Sequence, residues 1–163
     1  MNVAIERYGY RHLYPIDGIK TMRPTILNDI IEHKRRVLIE KSAFFFSLKE
    51  RALALPPLEA GHFRAKISRP GQVNLIAEIK KASPSAGIIR EDFDPYSIAR
   101  VYEQHRAAAV SVLTEDKYFA GRPDYIKLVS AAVDLPVLAK DFIIDAAQIY
   151  EARINGASAV LHR

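Results

Sequence analysis

The spacing of hydrophobic positions divides the chain at about residue 71. Before that point, apolar residues follow Thr25 at near-helical spacing; they are Leu27, Ile30, Ile31, Leu38 and Phe45. This periodicity predicts one long amphipathic helix. Charged residues occupy its other positions, namely Glu32, Lys34, Arg35, Glu40 and Lys41. We expect them to form a solvated face, with a nucleic-acid-binding patch as the alternative.

Beyond residue 71 the pattern changes to short, continuous apolar runs. The runs are rich in Val, Ile, Leu and Ala and cover residues 75–79, 109–113, 136–138 and 159–161. Their length and continuity are typical of parallel strands that are buried on both faces.

Three helices are predicted between these strands. The first begins at Asp94-Pro95 and runs through Tyr102, and the second opens at Pro123 and extends towards Leu135. The third is capped by Asp145 and ends at Asn155-Gly156. An N-cap Asp, a first-turn Pro and a terminal Asn-Gly are ordinary helix boundaries. Alternating strands and helices predict an α/β fold with a parallel sheet and right-handed crossovers.

Three regions are expected along the chain. Residues 1–24 have no clear period and are interpreted as an irregular leader. Residues 25–70 form a helical extension, closed by Pro56-Pro57 and followed by a linker over 61–71. Residues 71–163 form the α/β unit, whose four strands and three connecting helices are too few to close an eight-stranded barrel.

Composition narrows the class of protein. A chain of 163 residues, 49% hydrophobic and 26% charged, is typical of a globular domain. It has no cysteine, which excludes disulfides and thiolate metal sites and suits a reducing cytoplasm, where we expect the protein to be. No apolar run approaches the roughly 18 residues of a membrane span. The five histidines show no metal-ligand spacing, so no metal is expected.

Charged residues mark the ends of two predicted strands. Alternation places Glu78 and Lys80 on one face of the first strand, and Lys140 follows Leu138 at the end of the third. Active sites of parallel α/β folds gather at the carboxyl ends of strands, which makes these residues candidates for chemistry. Two structural alternatives stay open: Glu78 and Lys80 could be a buried ion pair, and Lys140 could extend into solvent. The net charge of +5 fits an anionic substrate or loose nucleic-acid contact equally well.

Three segments resemble a known family. They are residues 76–85 (IAEIKKASPS), residues 111–121 (SVLTEDKYFAG) and residues 138–153, which begin LAKDFIID. In this order and spacing they are similar to the first three strand-loop signatures of indole-3-glycerol-phosphate synthases. Those enzymes are (β/α)8-barrel lyases of tryptophan biosynthesis. The resemblance runs from about Thr25 to Leu161 and leaves the first two dozen residues unmatched.

The resemblance implies a reaction and a set of site residues. The reaction closes the pyrrole ring of 1-(2-carboxyphenylamino)-1-deoxyribulose 5-phosphate with loss of carbon dioxide and water, without cofactor or metal. Lys140 matches the family's general acid. Lys80 matches a second lysine, which binds the substrate and supplies a proton for dehydration. Glu78 matches the carboxylate that orients both lysines. Ser83 corresponds to a phosphate contact. Phe119 and Phe142 correspond to aromatic residues that pack on the anthranilate ring.

The resemblance also implies an incomplete barrel. The family's fifth to eighth strands carry a general base and most of the phosphate-binding loops, and these have no counterpart before Arg163. We therefore expect weak or no turnover from this chain alone. The alternative is a non-catalytic half-barrel that self-associates through exposed strand edges. A membrane or nucleic-acid partner is not expected, because no motif for either is present.

Overall fold

A computed structural model describes residues 25–59 and 61–161. The predicted leader over residues 1–24 and the last two residues lie outside this part of the chain. The helices are α1 (Ile26–Glu40), α2 (Ser42–Leu53), α3 (His62–Ile67), α4 (Pro95–Gln104), α5 (Asp124–Ala132) and α6 (Ala146–Ile154). The strands are β1 (Ile76–Ile79), β2 (Ala82–Ser83), β3 (Gly87–Ile88), β4 (Ala109–Leu113), β5 (Val137–Lys140) and β6 (Ala159–Val160).

Four of the strands form a parallel sheet in the order β1-β4-β5-β6. Consecutive strands of this sheet are neighbours, and a helix connects each pair, α4, α5 and α6 in turn. The predicted alternation of strand and helix is thereby confirmed. The short antiparallel pair of β2 and β3 was not predicted from the sequence; it forms a hairpin in the loop after β1.

The core lies between one face of the sheet and the helices. Ile79, Val110, Val112 and Val137 are buried against side chains of α4, α5 and α6. Burial of these branched apolar groups is the main favourable contribution to folding of the unit. The buried residues on this face belong to the continuous apolar runs that predicted the strands.

The opposite face of the sheet is partly open. In β1 the exposed or half-buried residues are Ile76 and Glu78, whereas Ala77 and Ile79 are buried. The prediction that every strand is buried on both faces is wrong for β1, since Ile76 retains 39% exposure. Among the four strands of the parallel sheet in the described residues, β4 alone is buried at all of its positions. The open face is the one that carries the candidate site.

The N-terminal region differs from the prediction in two ways. The predicted single helix is divided at Lys41 into α1 and α2, and α2 lies against α6 and buries Leu48 and Ala52. The predicted linker over 61–71 contains a short helix, α3. Helical periodicity continues across Lys41 in the sequence, and a change of direction leaves no mark in such a pattern.

No helix within residues 25–59 and 61–161 combines the length and apolar character required to cross a membrane.

Candidate active site

Glu78, Lys80 and Lys140 meet at the carboxyl ends of β1 and β5. The Glu78 carboxylate accepts hydrogen bonds from both lysines, with Oε1 2.8 Å from Lys80 Nζ and Oε2 2.5 Å from Lys140 Nζ. Glu78 and Lys80 are two residues apart, so β-strand alternation directs both to the open face. Glu78 is level with Ser111 of β4, which is level with Leu138, and Lys140 lies two residues further along β5 on the same face. The sheet thus unites residues that are 62 positions apart.

The three side chains remain accessible to solvent. Their exposed fractions are 27% for Glu78, 33% for Lys80 and 39% for Lys140. A purely structural ion pair would be expected to be more enclosed, because solvent weakens the attraction between such charges. A carboxylate with two ammonium groups beside it is therefore accessible to a ligand from solvent.

The two lysines determine the ionisation of Glu78. Partial burial alone would raise the pKa of its carboxyl group, but hydrogen bonds and charge attraction from Lys140 and Lys80 outweigh it, and the pKa lies below its ordinary value of 4.5. Glu78 is therefore ionised at neutral pH. It can orient both ammonium groups without competing with them for a proton.

Two aromatic rings contact each other in the loops that follow β4 and β5. Phe119 is in the loop after β4 and Phe142 is in the loop after β5, and their ring centroids are 6.3 Å apart at an interplanar angle of 38°. This is a favourable tilted contact between aromatic rings. The contact brings together the loops that follow β4 and β5, and Phe142 follows Lys140 by two residues.

Glu115 shapes the loop that carries Phe119. Its side chain is fully buried, and its carboxylate accepts hydrogen bonds from the backbone N–H groups of Lys117, Tyr118 and Phe119 at 3.2, 2.6 and 3.0 Å. Sequence reasoning assigned no role to Glu115. The available signal was a carboxylate two residues beyond a buried strand, where an unpaired charge would be costly.

Gly121 closes the same loop. A Cβ atom at this position would lie 2.5 Å from the Leu113 carbonyl oxygen and 2.8 Å from that of Glu115. The Gly121 N–H also donates to the Glu115 carbonyl at 2.7 Å. The loop therefore requires glycine for close backbone approach and not for an unusual dihedral angle.

Ser83 lies apart from the charged cluster. Its hydroxyl accepts a hydrogen bond from the Ala86 N–H at 3.2 Å and lies 3.4 Å from the Ser85 hydroxyl. Both contacts are within the β2–β3 hairpin. The hairpin is tied to the Phe119 loop, because the Ala82 N–H donates to the Phe119 carbonyl at 3.2 Å.

Asp141 links the site to α1. Lys34, predicted to lie on a solvated face, is instead 8% exposed and binds the Asp141 carboxylate at 2.8 Å. The prediction was wrong because helical spacing does not show which polar residue of a helix meets an opposite charge on another element. The Thr114 hydroxyl donates to the same carboxylate at 2.7 Å.

Comparison with known proteins places the chain in a family. The family model described as indole-3-glycerol phosphate synthase matches residues 27–162 of the chain. The chain belongs to this family. Members named indole-3-glycerol phosphate synthase include one from Rhodopirellula baltica, 47% identical over 137 residues, and one from Clostridium acetobutylicum, 46% identical over 138 residues. The alignments cover 84% and 83% of this chain.

The chain spans about half the length of these curated relatives. The matched segment is 53% of the Rhodopirellula baltica protein and 52% of the Clostridium acetobutylicum protein. A third relative, from Carboxydothermus hydrogenoformans, is 54% identical over 105 residues, which are 64% of this chain and 40% of that protein. The family is one of (β/α)8 barrels, and the four parallel strands with their helices form part of such a barrel.

One histidine of this family member has acidic neighbours that its sequence spacing did not indicate. His33 Nε2 lies 3.0 Å from Asp116 Oδ1, and ligand atoms of His33, Glu115 and Asp116 all lie within 4.8 Å of one another. Partial burial would raise the Asp116 pKa, but the His33 hydrogen bond and nearby positive charges hold it below its ordinary value. The Glu115 carboxylate already accepts three backbone hydrogen bonds within its own loop. These bonds account for its position near His33 and Asp116.

Proposed function

We propose that Glu78, Lys80 and Lys140 are catalytic residues of an indole-3-glycerol-phosphate synthase reaction. The substrate would be 1-(2-carboxyphenylamino)-1-deoxyribulose 5-phosphate, an anionic phosphorylated compound. The observation that carries this proposal is the single carboxylate of Glu78 that holds two accessible ammonium groups at the strand ends. Family membership supports the reaction type.

Lys140 is proposed as the general acid for ring closure. Its ammonium group would give a proton to the C2 carbonyl oxygen while the aromatic carbon that bears the carboxylate attacks C2 and forms the carbon–carbon bond. Loss of carbon dioxide then leaves its electron pair in the ring. A proton donor close to the reacting oxygen contributes about 100-fold to 10,000-fold to such steps.

Lys80 is proposed to bind the anionic substrate and to act in the dehydration that follows. The C2 hydroxyl leaves as water after it takes a proton from the Lys80 ammonium, and transfer of a proton from C1 to solvent water completes the pyrrole ring. Glu78 would keep both lysines directed at the same space. Fixed charges of this kind stabilise developing charge because they need no reorganisation during the reaction.

The surrounding residues have supporting roles in this proposal. Phe119 and Phe142 would pack on the anthranilate ring and remove water from the departing carboxylate. Ser83, with the Ala86 N–H beside it, would contact the phosphate. No cofactor or metal is proposed for the reaction. We also propose a cytoplasmic location, in keeping with a sequence without cysteine.

A chimera tests the catalytic roles. Residues 27–161 of this chain would replace the matched segment of the Rhodopirellula baltica relative, and formation of the indole product would be followed by its fluorescence. We expect Lys140→Met to lower kcat by about 100-fold or more, because it removes the proton donor. Lys127→Met, at an exposed lysine of α5, is the matched control. A Lys140→Met chimera with nearly full activity, or a folded but inactive parent chimera, would contradict the proposal.

We propose self-association as a second function of this chain, in place of catalysis. Exposed apolar side chains favour it: Leu75 and Ile76 at β1 retain 58% and 39% exposure. No strand of the described residues pairs with the outer side of β1. Free strand edges and apolar surface both promote pairing between copies.

A further inference from the structure

Asp141 is held from three directions at the turn after β5. Its carboxylate lies 2.8 and 2.9 Å from Lys34 Nζ and accepts the Thr114 hydroxyl at 2.7 Å. It also accepts the N–H of Phe142 at 2.7 Å. The side chains of Lys34 and Asp141 are only 10% and 9% exposed. Charge-assisted hydrogen bonds in such an enclosed place are short and geometrically restrictive.

Asp141 lies between two residues of the candidate active site. Lys140 precedes it and binds Glu78, and Phe142 follows it and contacts Phe119. Because a planar peptide group joins each neighbour to Asp141, a fixed Asp141 limits movement of the backbone from which both side chains extend. The contact that fixes it comes from α1, which is 107 residues away along the chain.

We infer that Lys34 is a positioning residue, which holds the Lys140 ammonium group against Glu78 through the Asp141 carboxylate. The contact geometry stands by itself, and only its use in catalysis rests on the proposed function. In this arrangement α1 does more than pack against the rest of the fold, because its Lys34 helps to position a residue of the candidate active site.

A merely structural role for Lys34 predicts a different result. If the ion pair only attached α1 to the sheet, its removal would lower stability but leave the surroundings of Glu78 unchanged. The charged groups that face Glu78 are Lys80 and Lys140. A looser Lys140 would therefore be detected by the Glu78 carboxylate itself.

The test is a carbon-13 NMR titration of Glu78 in the 163-residue chain, with the signal assigned through Glu78→Gln. The deciding variant is the double substitution Lys34→Met with Asp141→Asn. It leaves net charge unchanged and leaves no buried charge without a partner. We expect the Glu78 titration midpoint to rise, because Lys140 is no longer held in place. Lys34→Arg should keep most of the original midpoint, and Arg36→Met, at an exposed site on the same helix, should not move it.

Each outcome decides the inference. A raised midpoint in a folded double variant supports it, and an unchanged midpoint overturns it. Loss of the folded spectrum in the double variant would also overturn it, because the pair would then stabilise the whole fold rather than orient one side chain. A raised midpoint together with an inactive parent chimera would leave Lys34 as a positioning residue and refute only the catalytic roles.

Discussion

At the scale of single residues, the environment of a carboxylate decides what it does. Glu78, Glu115 and Glu151 are chemically identical, yet one binds two lysines, one binds backbone N–H groups, and one lines a cavity between α1, α2 and α6. For Glu151, burial raises the pKa above its ordinary value of 4.5, and the positive charges of Lys41 and Lys34 only partly oppose this. The lowered pKa of Glu78 and the raised pKa of Glu151 therefore affect stability at neutral pH with opposite signs.

Replacement of Glu151 by Gln should stabilise the chain at neutral pH. Below pH 4.5 the carboxyl group is protonated in both folded and unfolded chains, so the substitution changes little there. As the pH rises, the unfolded chain ionises more easily than the folded one, and the unfolding free energy of the parent falls. Urea unfolding at pH 7 and pH 4 should show a gain for Glu151→Gln only at pH 7.

Glu50→Gln, on the exposed surface of α2, is the control for that measurement. An equal gain at both pH values would contradict the explanation, because it would then come from packing and not from ionisation.

At the scale of elements, helix caps also order the loops of the site. Asp145 accepts the Ala147 N–H at 2.8 Å, and Gln148 completes a capping box by accepting the Asp145 N–H at 3.0 Å. Gln148 also donates to the Phe142 carbonyl at 3.0 Å. The start of α6 and the position of Phe142 are therefore coupled through one buried side chain.

This coupling gives a prediction that compares two caps. Asp94→Ala removes the cap of α4, and Asp145→Ala removes the cap of α6. Asp145→Ala should lower the unfolding free energy by about 1 kcal/mol, as is usual for a lost N-cap side chain, and Asp94→Ala should lower it as well. Only Asp145→Ala should also change the NMR signals of the Phe142 ring. If Asp145→Ala changed the Phe142 ring signals no more than Asp94→Ala does, the coupling between the α6 cap and the loop would be contradicted.

At the scale of the whole molecule, the sheet has one covered face and one partly open face. Core side chains fill the space between the sheet and α4, α5 and α6, while Ile76 on the other face keeps 39% exposure. That same open face gives solvent access to Lys80 and Lys140. The proposed catalysis and the proposed self-association would therefore both depend on this face.

Self-association can be separated from general surface stickiness by two matched substitutions. Ile76→Lys places a charge on the open face, whereas Ile149→Lys places one on α6 at almost the same exposure, 40% against 39%. If copies pair through the open face, sedimentation of the parent should show growing dimer with concentration, and Ile76→Lys alone should reduce it. A parent that remains monomeric throughout would contradict the proposal.

Much of the fold and part of the site could be predicted from the amino-acid sequence. The four strands of the parallel sheet and the three connecting helices follow from local spacing and from caps such as Asp94 and Asp145, which act within a few residues. The shared face of Glu78 and Lys80 follows from strand alternation. These features depend only on neighbours along the chain, and so the order of residues alone determined them.

Other features depend on contacts between distant elements. Only the tertiary structure decided that Lys34 is buried on Asp141 and not solvated, and that Glu115 binds a loop. The contact of Lys140 with Glu78 was implied by the family resemblance, but spacing along the chain does not indicate it. Each is a pairing of charges or polar groups whose free energy depends on burial and on distance through space. The periodicity of a sequence gives neither burial nor distance through space. In the folded chain the parallel register of β1, β4 and β5 sets both.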